Sequence, residues 1–328
     1  MLVSYPLQWE ALQHLDPAHF LEQAKKNYSW QAQHNEVYKE WIQTWNISSS
    51  SPNSIAQIPF LPISFFKTHE VWVGNKPETY FESSGTTQDT KSKHWVTDVD
   101  LYEKSFNTCF ESFYCSPKDW CIIGLLPSYL ERSHSSLVYM VEKLIQQSGH
   151  AQSGFYLYDF ASLNNVLQTL EQQGQKVWLI GVSFALTDFA AAFPQQLKHT
   201  TIIETGGMKG RKQELTRQEL HTILTEQLGV SNIHSEYGMT ELLSQAYAVK
   251  EGVFKCPPWM KVLVSDEEDP LDVKFKGRGL LHIIDLANIN SCSFIATEDI
   301  GEVFEDGTFT VLGRLDTSAR RGCSLLVV

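Results

Sequence analysis

The chain reads as an α/β protein, with mixed or parallel sheets flanked by helices and a smaller β-rich sub-lobe near its C-terminus. Two patterns carry that reading. From about residue 80, short apolar runs alternate with amphipathic stretches of helical period, which implies buried strands joined through helices on the faces of a sheet. After about residue 255 the helical stretches thin out, and strand-like segments punctuated by turn residues take over.

In chain order, residues 7–45 place Leu12, Phe20, Ala24, Tyr28, Tyr38 and Ile42 at helical intervals, so a helical N-terminal segment is expected over 1–58. The polar run from Ser48 to Pro52 and Asn53 ends its helices. Pro59 and Pro62 disfavour helix in the residues before them, so 59–73 is expected to be extended and irregular. The runs at 79–81, 120–126, 177–182 and 201–204 are expected strands. Helices are expected over 137–147 and 162–173, with Gly149 and Gly174 at their C-termini. An α/β core over 59–254 follows, and then a β-rich sub-lobe over 255–328. In the latter, Asp306-Gly307 marks a hairpin.

Composition excludes several classes of function. A chain of 328 residues is longer than one core usually grows, so close lobes are expected. Hydrophobic residues at 42% and charged residues at 20% belong to a chain that folds rather than one that stays disordered. A net charge of −12 with no run of Lys or Arg argues against nucleic acid as a partner. The N-terminus lacks a basic region followed by an apolar one, and no stretch approaches the roughly 18 apolar residues of a membrane span. A cytoplasmic protein without a membrane span is therefore expected. The six cysteines show no C-x-x-C pair and no zinc spacing, so they read as free thiols.

Five segments carry candidate chemistry. Ser83-Ser84-Gly85-Thr86-Thr87 follows an expected strand and offers small residues whose N–H groups and hydroxyls converge as phosphate donors do; alone it reads more readily as an ordinary polar turn. Thr205-Gly206-Gly207 follows the strand ending at Glu204, where glycines let the backbone approach a flat base, or simply make a tight turn. Glu236-Tyr237-Gly238-Met239-Thr240-Glu241 puts an aromatic ring, a hydroxyl and a carboxylate close together, although Thr-Glu after a glycine also suits a helix start. Thr297-Glu298-Asp299 and Gly313-Arg314-Leu315-Asp316 supply an acceptor-only carboxylate and a guanidinium.

In this order, these segments resemble the nucleotide-binding elements of the adenylate-forming enzymes, which join a carboxylic acid to AMP. Within that superfamily the chain resembles the acyl-protein synthetases of the LuxE type. The residues that carry this are Leu61-Pro62-Ile63-Ser64-Phe65-Phe66-Lys67-Thr68-His69, the loop from Ser83, the segments from Glu204 and from His234, and Arg321-Gly322-Cys323. Phenylacetate-CoA ligases are a more distant resemblance. The resemblance implies the large N-terminal domain of the adenylate-forming fold, with a nucleotide- and acyl-binding core.

It also implies roles. Ser83, Ser84, Gly85, Thr86 and Thr87 form the phosphate loop, and Gly206 and Gly207 the adenine edge. Tyr237 packs on adenine beside Gly238, Thr240 reaches the α-phosphate, and Glu241 helps hold Mg²⁺. Asp299 and Arg314 meet the ribose, and Asp316 is the hinge. His234 lines the acyl or nucleotide pocket, or is simply a packed residue. Cys323, beside Arg320 and Arg321 whose charge favours a thiolate, is the candidate acyl acceptor, although its apolar tail equally suits a closing strand. The pattern departs from the superfamily at Gln88, where a second glycine is usual, and leaves Lys91 or Lys93 as the loop lysine. The chain ends shortly after Asp316, so the C-terminal lid domain of full-length members is expected to be missing.

The expected function is ATP-dependent, AMP-forming activation of a carboxylic, fatty acid with release of pyrophosphate, followed by transfer to a thiol of the chain itself or of a partner. An acyl-accepting protein or a reductase is the partner implied. Two alternatives stay open: a non-catalytic protein that binds nucleotide or acyl-adenylate, and an acyl-CoA ligase.

Overall fold

The computed structural model describes residues 7–44, 52–83, 90–127, 134–206, 215–267 and 269–315. Helices α1 (Trp9–Leu12), α2 (Phe20–His34) and α3 (Glu36–Thr44) come first. A two-residue strand β1 (Leu61–Pro62), one helical turn α4 (Phe65–Thr68) and the hairpin of β2 (Thr79–Glu82) and β3 (Lys93–Val96) follow. The expected alternation then runs through α5 (Val99–Tyr114), β4 (Cys121–Leu125), α6 (Ser136–Ser148), β5 (Gly154–Phe155), α7 (Phe160–Gln173), β6 (Val177–Gly181), α8 (Ser183–Ala192), β7 (Thr200–Glu204), α9 (Arg217–Leu228), β8 (Ile233–Tyr237) and β9 (Ala246–Ala248). The last elements are β10 (Met260–Ser265), β11 (Val273–Lys274), β12 (Gly277–Asp285), β13 (Phe294–Val303) and β14 (Phe309–Arg314).

The central sheet has the order β5-β4-β6-β7-β8-β9. Its first four pairings are parallel and the last is antiparallel. Every residue of β4 and β6 is buried, which is why these strands read as unbroken apolar runs instead of alternating ones. Gly149 and Gly174 close α6 and α7 in the left-handed conformation, at φ 64° and 69°, where a Cβ would be strained.

The second sheet runs β1-β13-β12-β10-β11, with β14 paired to β13. Leu61 and Pro62 join it from far upstream, pairing in parallel with Ile295 and Ala296. The N-terminal helices dock on the same lobe through a polar stripe. Asn27 and Gln31, spaced four apart on one face of α2, and Asn35 at its C-cap are buried. Asn27 donates to the Leu286 carbonyl at 3.0 Å, Gln31 to that of Ile289 at 2.9 Å, and Asn35 to that of Ser291 at 2.8 Å. These carbonyls lie in the irregular link between β12 and β13, where buried backbone needs partners that no ladder supplies.

Asp285, at the end of β12, ties this lobe to the central sheet and is fully buried, with 0% exposure. One oxygen accepts the Leu243 and Ser244 N–H groups, both at 2.9 Å. The other accepts the Ser244 hydroxyl at 2.7 Å and the Ala287 N–H at 3.1 Å. Trp259 donates its indole N–H to the same Ser244 hydroxyl at 2.8 Å. Among the described residues no helix is long and apolar enough to cross a membrane.

Asp285→Ala strands several buried donors at once, so unfolding in urea should show a loss on the order of 3–5 kcal/mol. Asp285→Asn, which keeps one acceptor oxygen, should lose less. A loss below about 1 kcal/mol for the alanine variant would refute this account of the joint.

Candidate active site

In a parallel sheet the chain leaves the strands' carboxyl ends on one side, and ligands gather there. Tyr237 ends β8 at that edge. Its ring packs edge-on against Phe309 at 5.4 Å and Phe254 at 5.8 Å between centroids. Its hydroxyl donates to Asp299 Oδ2 at 2.8 Å. The antiparallel register of β13 and β14 sets Asp299 directly opposite Arg314. Arg314 Nε lies 3.8 Å from Asp299 Oδ1, and its Nη2 lies 3.4 Å from Glu298. An aromatic ring, a carboxylate and a guanidinium distant in sequence are thus brought together.

Thr240 and Glu241 occupy the turn after β8. Burial raises the pKa of the Glu241 carboxyl, while Ser92, its own N–H and the Arg314 charge pull it down and Asp299 pushes it up. The main chain of this turn is held by side chains. His94 Nδ1 donates to the Thr240 carbonyl at 2.8 Å, and Asn288 Nδ2 donates to that of Glu241 at 2.8 Å. The His94 ring reaches Asn288 Oδ1 through Nε2 at 3.1 Å.

Ser83 and Ser92 close the base of the expected phosphate loop. The Ser83 N–H donates to the Ser92 carbonyl, and the Ser92 N–H to the Ser83 hydroxyl, each at 3.0 Å. Lys91 and Lys93, the two lysines available to this loop, both pair with Glu82, at 3.1 and 3.6 Å. Ser84, Gly85, Thr86, Thr87, Gly207, Asp316 and Cys323 lie outside the described residues.

The end of β7 carries a second cluster. Glu204 is buried, which opposes its charge, yet His221, Arg217, Ser235 and the Gly206 N–H together hold its pKa down at about 2. Arg217 Nε meets Glu204 Oε1 at 3.0 Å, and its Nη1 donates to the Val311 carbonyl of β14 at 2.7 Å. The Gly206 N–H donates to Glu204 Oε2 at 2.9 Å. Arg217 therefore ties the end of β7 to the strand that bears Arg314.

Glu236 takes the opposite character from its neighbour. Burial pushes its pKa up, the Thr205 hydroxyl at 2.5 Å opposes this, the Glu204 charge adds to it, and the result is about 7. A Cβ at Gly238 would lie 2.4 Å from Glu236 Oε1, so the glycine in this motif makes room for the carboxyl two residues earlier.

His234 lies earlier in β8 and engages Tyr114 of α5 rather than the Tyr237–Asp299 pair. Its Nδ1 is 3.1 Å from the Tyr114 hydroxyl, and burial, with His221 nearby, lowers its pKa to about 4.

Sequence reasoning missed Ser92, His94, Asn288, Arg217, Glu204 as a charged anchor and Thr205 as the hydroxyl that meets Glu236. The one signal available was period two in Ser92 and His94, which places both on the same face of a strand leaving the loop. Among the described residues no cluster of three or more His, Cys, Asp or Glu is arranged to hold a metal. A magnesium ion held by one carboxylate together with phosphate oxygens needs no such cluster, so the donor set around Glu241 fits it.

A family model described as acyl-protein synthetase, LuxE, matches residues 1–328. Two curated relatives are long-chain-fatty-acid–luciferin-component ligases. That of Aliivibrio fischeri is 25% identical over 323 residues, covering 89% of this chain and 83% of the relative. That of Vibrio harveyi is 22% identical over 326 residues, covering 92% and 85%. Among solved structures, a 2-hydroxyisobutyryl-CoA ligase in complex with R3-HIB-AMP matches with TM-score 0.64 and 10% identity, over 96% of this chain and 72% of that one. ATP-bound MatB from Rhodopseudomonas palustris matches with TM-score 0.53 and 15% identity, over 72% of this chain and 47% of that one. The matched region thus spans about half the length of the latter. At these identities the structural likeness shows the fold, that of the N-terminal domain of adenylate-forming enzymes.

Glu236 binds its proton more tightly folded, near pH 7, than unfolded, near pH 4.5. Its contribution to stability is therefore full below pH 4.5 and is lost as pH rises through 7. Relative to Glu236→Gln, the native protein should gain on the order of 2–3 kcal/mol between pH 8 and pH 5, read by urea unfolding at both values. An equal difference at the two pH values would contradict a buried, protonated Glu236.

Proposed function

Because the chain belongs to the LuxE family of acyl-protein synthetases, we propose that it activates a long-chain carboxylic acid with ATP, forming acyl-AMP and pyrophosphate, and then passes the acyl group to a thiol. The observation that carries the reading is the convergence of Tyr237, Asp299 and Arg314, with the Glu241 carboxylate coupled to both Asp299 and Arg314. The names of the two curated relatives support a long-chain acid.

A carboxylate is a poor electrophile, and making an anhydride with AMP gives it an acceptable leaving group. One carboxylate oxygen attacks the α-phosphorus, the bond from phosphorus to the bridging oxygen breaks, and pyrophosphate departs. The protein's part is alignment and neutralisation of charge. The Asp299 carboxylate accepts only, the character that ribose hydroxyls need in a partner, and Arg314 lies beside it. The Thr240 and Ser83 hydroxyls are donors for phosphate oxygens. Glu241 would hold Mg²⁺, which when bound supplies positive charge to the phosphates.

His234, neutral at neutral pH, lies with Tyr114 on the α5 side of β8 and suits the acyl end of the site. In the second step a thiolate attacks the acyl carbonyl and AMP leaves. The thiol is that of Cys323 or of an acyl-accepting partner such as a reductase, and mass spectrometry of the acylated chain beside Cys323→Ala distinguishes them.

ATP–pyrophosphate exchange with Mg²⁺ should depend on a long-chain fatty acid. Glu241→Ala should lower its kcat by on the order of 10²–10³. Asp299→Ala should act mainly on KM for ATP, raising it by about tenfold, as expected for one lost charge-assisted contact. Folded protein that binds ATP but shows no exchange with any acid would sink the proposal.

A further inference from the structure

Phosphate-facing groups stabilise a transition state only when they are already aimed at it, and the Thr240–Glu241 turn has no regular ladder to fix its aim. We propose that His94 and Asn288 are positioning residues for adenylation, His94 clamping the main chain of Thr240 and Asn288 that of Glu241. The inference rests on the function proposed above.

His94 and Asn288 are each 1% exposed. Carbonyl oxygens only accept, so the 2.8 Å contact to Thr240 requires the hydrogen on Nδ1. In the neutral ring Nε2 then carries no hydrogen, and Asn288 Oδ1, 3.1 Å away, only accepts, so Asn288 acts on its own by donating Nδ2 to the Glu241 carbonyl at 2.8 Å. The ring is backed by Phe66, edge-on at 6.0 Å, so it cannot swing freely. The strand that leaves the expected phosphate loop therefore holds the Thr240 main chain directly, and a buried carbonyl left without its donor would let the turn relax.

The two arms are separable. The amide nitrogen of Asn is as many bonds from Cα as Nδ1 is, and that of Gln as many as Nε2. His94→Asn thus retains a donor for Thr240, whereas His94→Gln places its donor at the other ring position and leaves only the Asn288 arm. Exchange kinetics with hexadecanoate and MgATP should show kcat lowered about 10- to 100-fold in His94→Gln, with KM for ATP within about threefold of native, since one lost alignment contact acts on the transition state. His94→Asn should retain at least about fivefold more kcat than His94→Gln.

Asn288→Ser leaves the ring in place and removes the Glu241 arm, and it should lower kcat by about fivefold with KM unchanged. Should His94→Gln fail to fold, the serine variant decides alone. Native-like kcat in it, or equal kcat in the two His94 variants at matched thermal midpoints, would overturn the clamp. Absence of exchange in the native protein would instead count against the function on which it rests.

Discussion

The fold hangs on a buried carboxylate. Asp285 stands where the β-rich lobe meets the central sheet, and its two oxygens take up backbone N–H groups from both sides. Burial still dominates, pushing its pKa up to about 6. Such a group is tolerated only because its partners have no better option. Directly after it comes the 286–293 link, whose carbonyls are met by Asn27, Gln31 and Asn35 and whose Asn288 side chain meets the site turn. One short irregular segment is therefore the place where N-terminal helices, β lobe and candidate active site are all referenced to one another. Satisfied polar networks of this kind favour one arrangement over near alternatives.

Around the site, carboxyl groups of similar sequence character have been driven apart by their surroundings. Glu204 is ionised because a guanidinium, an imidazole and an N–H face it, at the cost of desolvation. Glu236, facing a single hydroxyl and the charge of Glu204, is pushed the other way. Asp299 is shared between a phenol and a guanidinium, and Glu241 is coupled to both Asp299 and Arg314. Separation of this sort lets neighbouring acids do different jobs at one pH.

How much of this was legible depended on the range of the interaction. The runs of β4 and β6, the glycine caps of α6 and α7 and the Asp306-Gly307 hairpin are local, and the sequence shows them directly. Tyr237, Thr240, Glu241, Asp299 and Arg314 could be named because family-like segments flank them. Pairing of Leu61 with Ile295 could not, because a two-residue strand has no period and its partner is distant. Likewise the Asn27–Gln31–Asn35 stripe is polar, and apolar periodicity is blind to it. His94 belongs to no motif, and its importance lies in which carbonyl it faces.

The contact between Gly238 and Glu236 has a consequence for how such a site drifts over time. Since the space of a side chain at 238 holds the carboxyl end of Glu236, a larger residue at 238 displaces that carboxyl unless a shorter one has already arrived at 236. The order of substitution then matters: a change at 236 can come first without this shift, whereas a change at 238 alone pushes a buried carboxyl that Thr205 holds. Two residues of one motif thus share a single volume, and lineages that lose the acid gain a freedom that those keeping it lack.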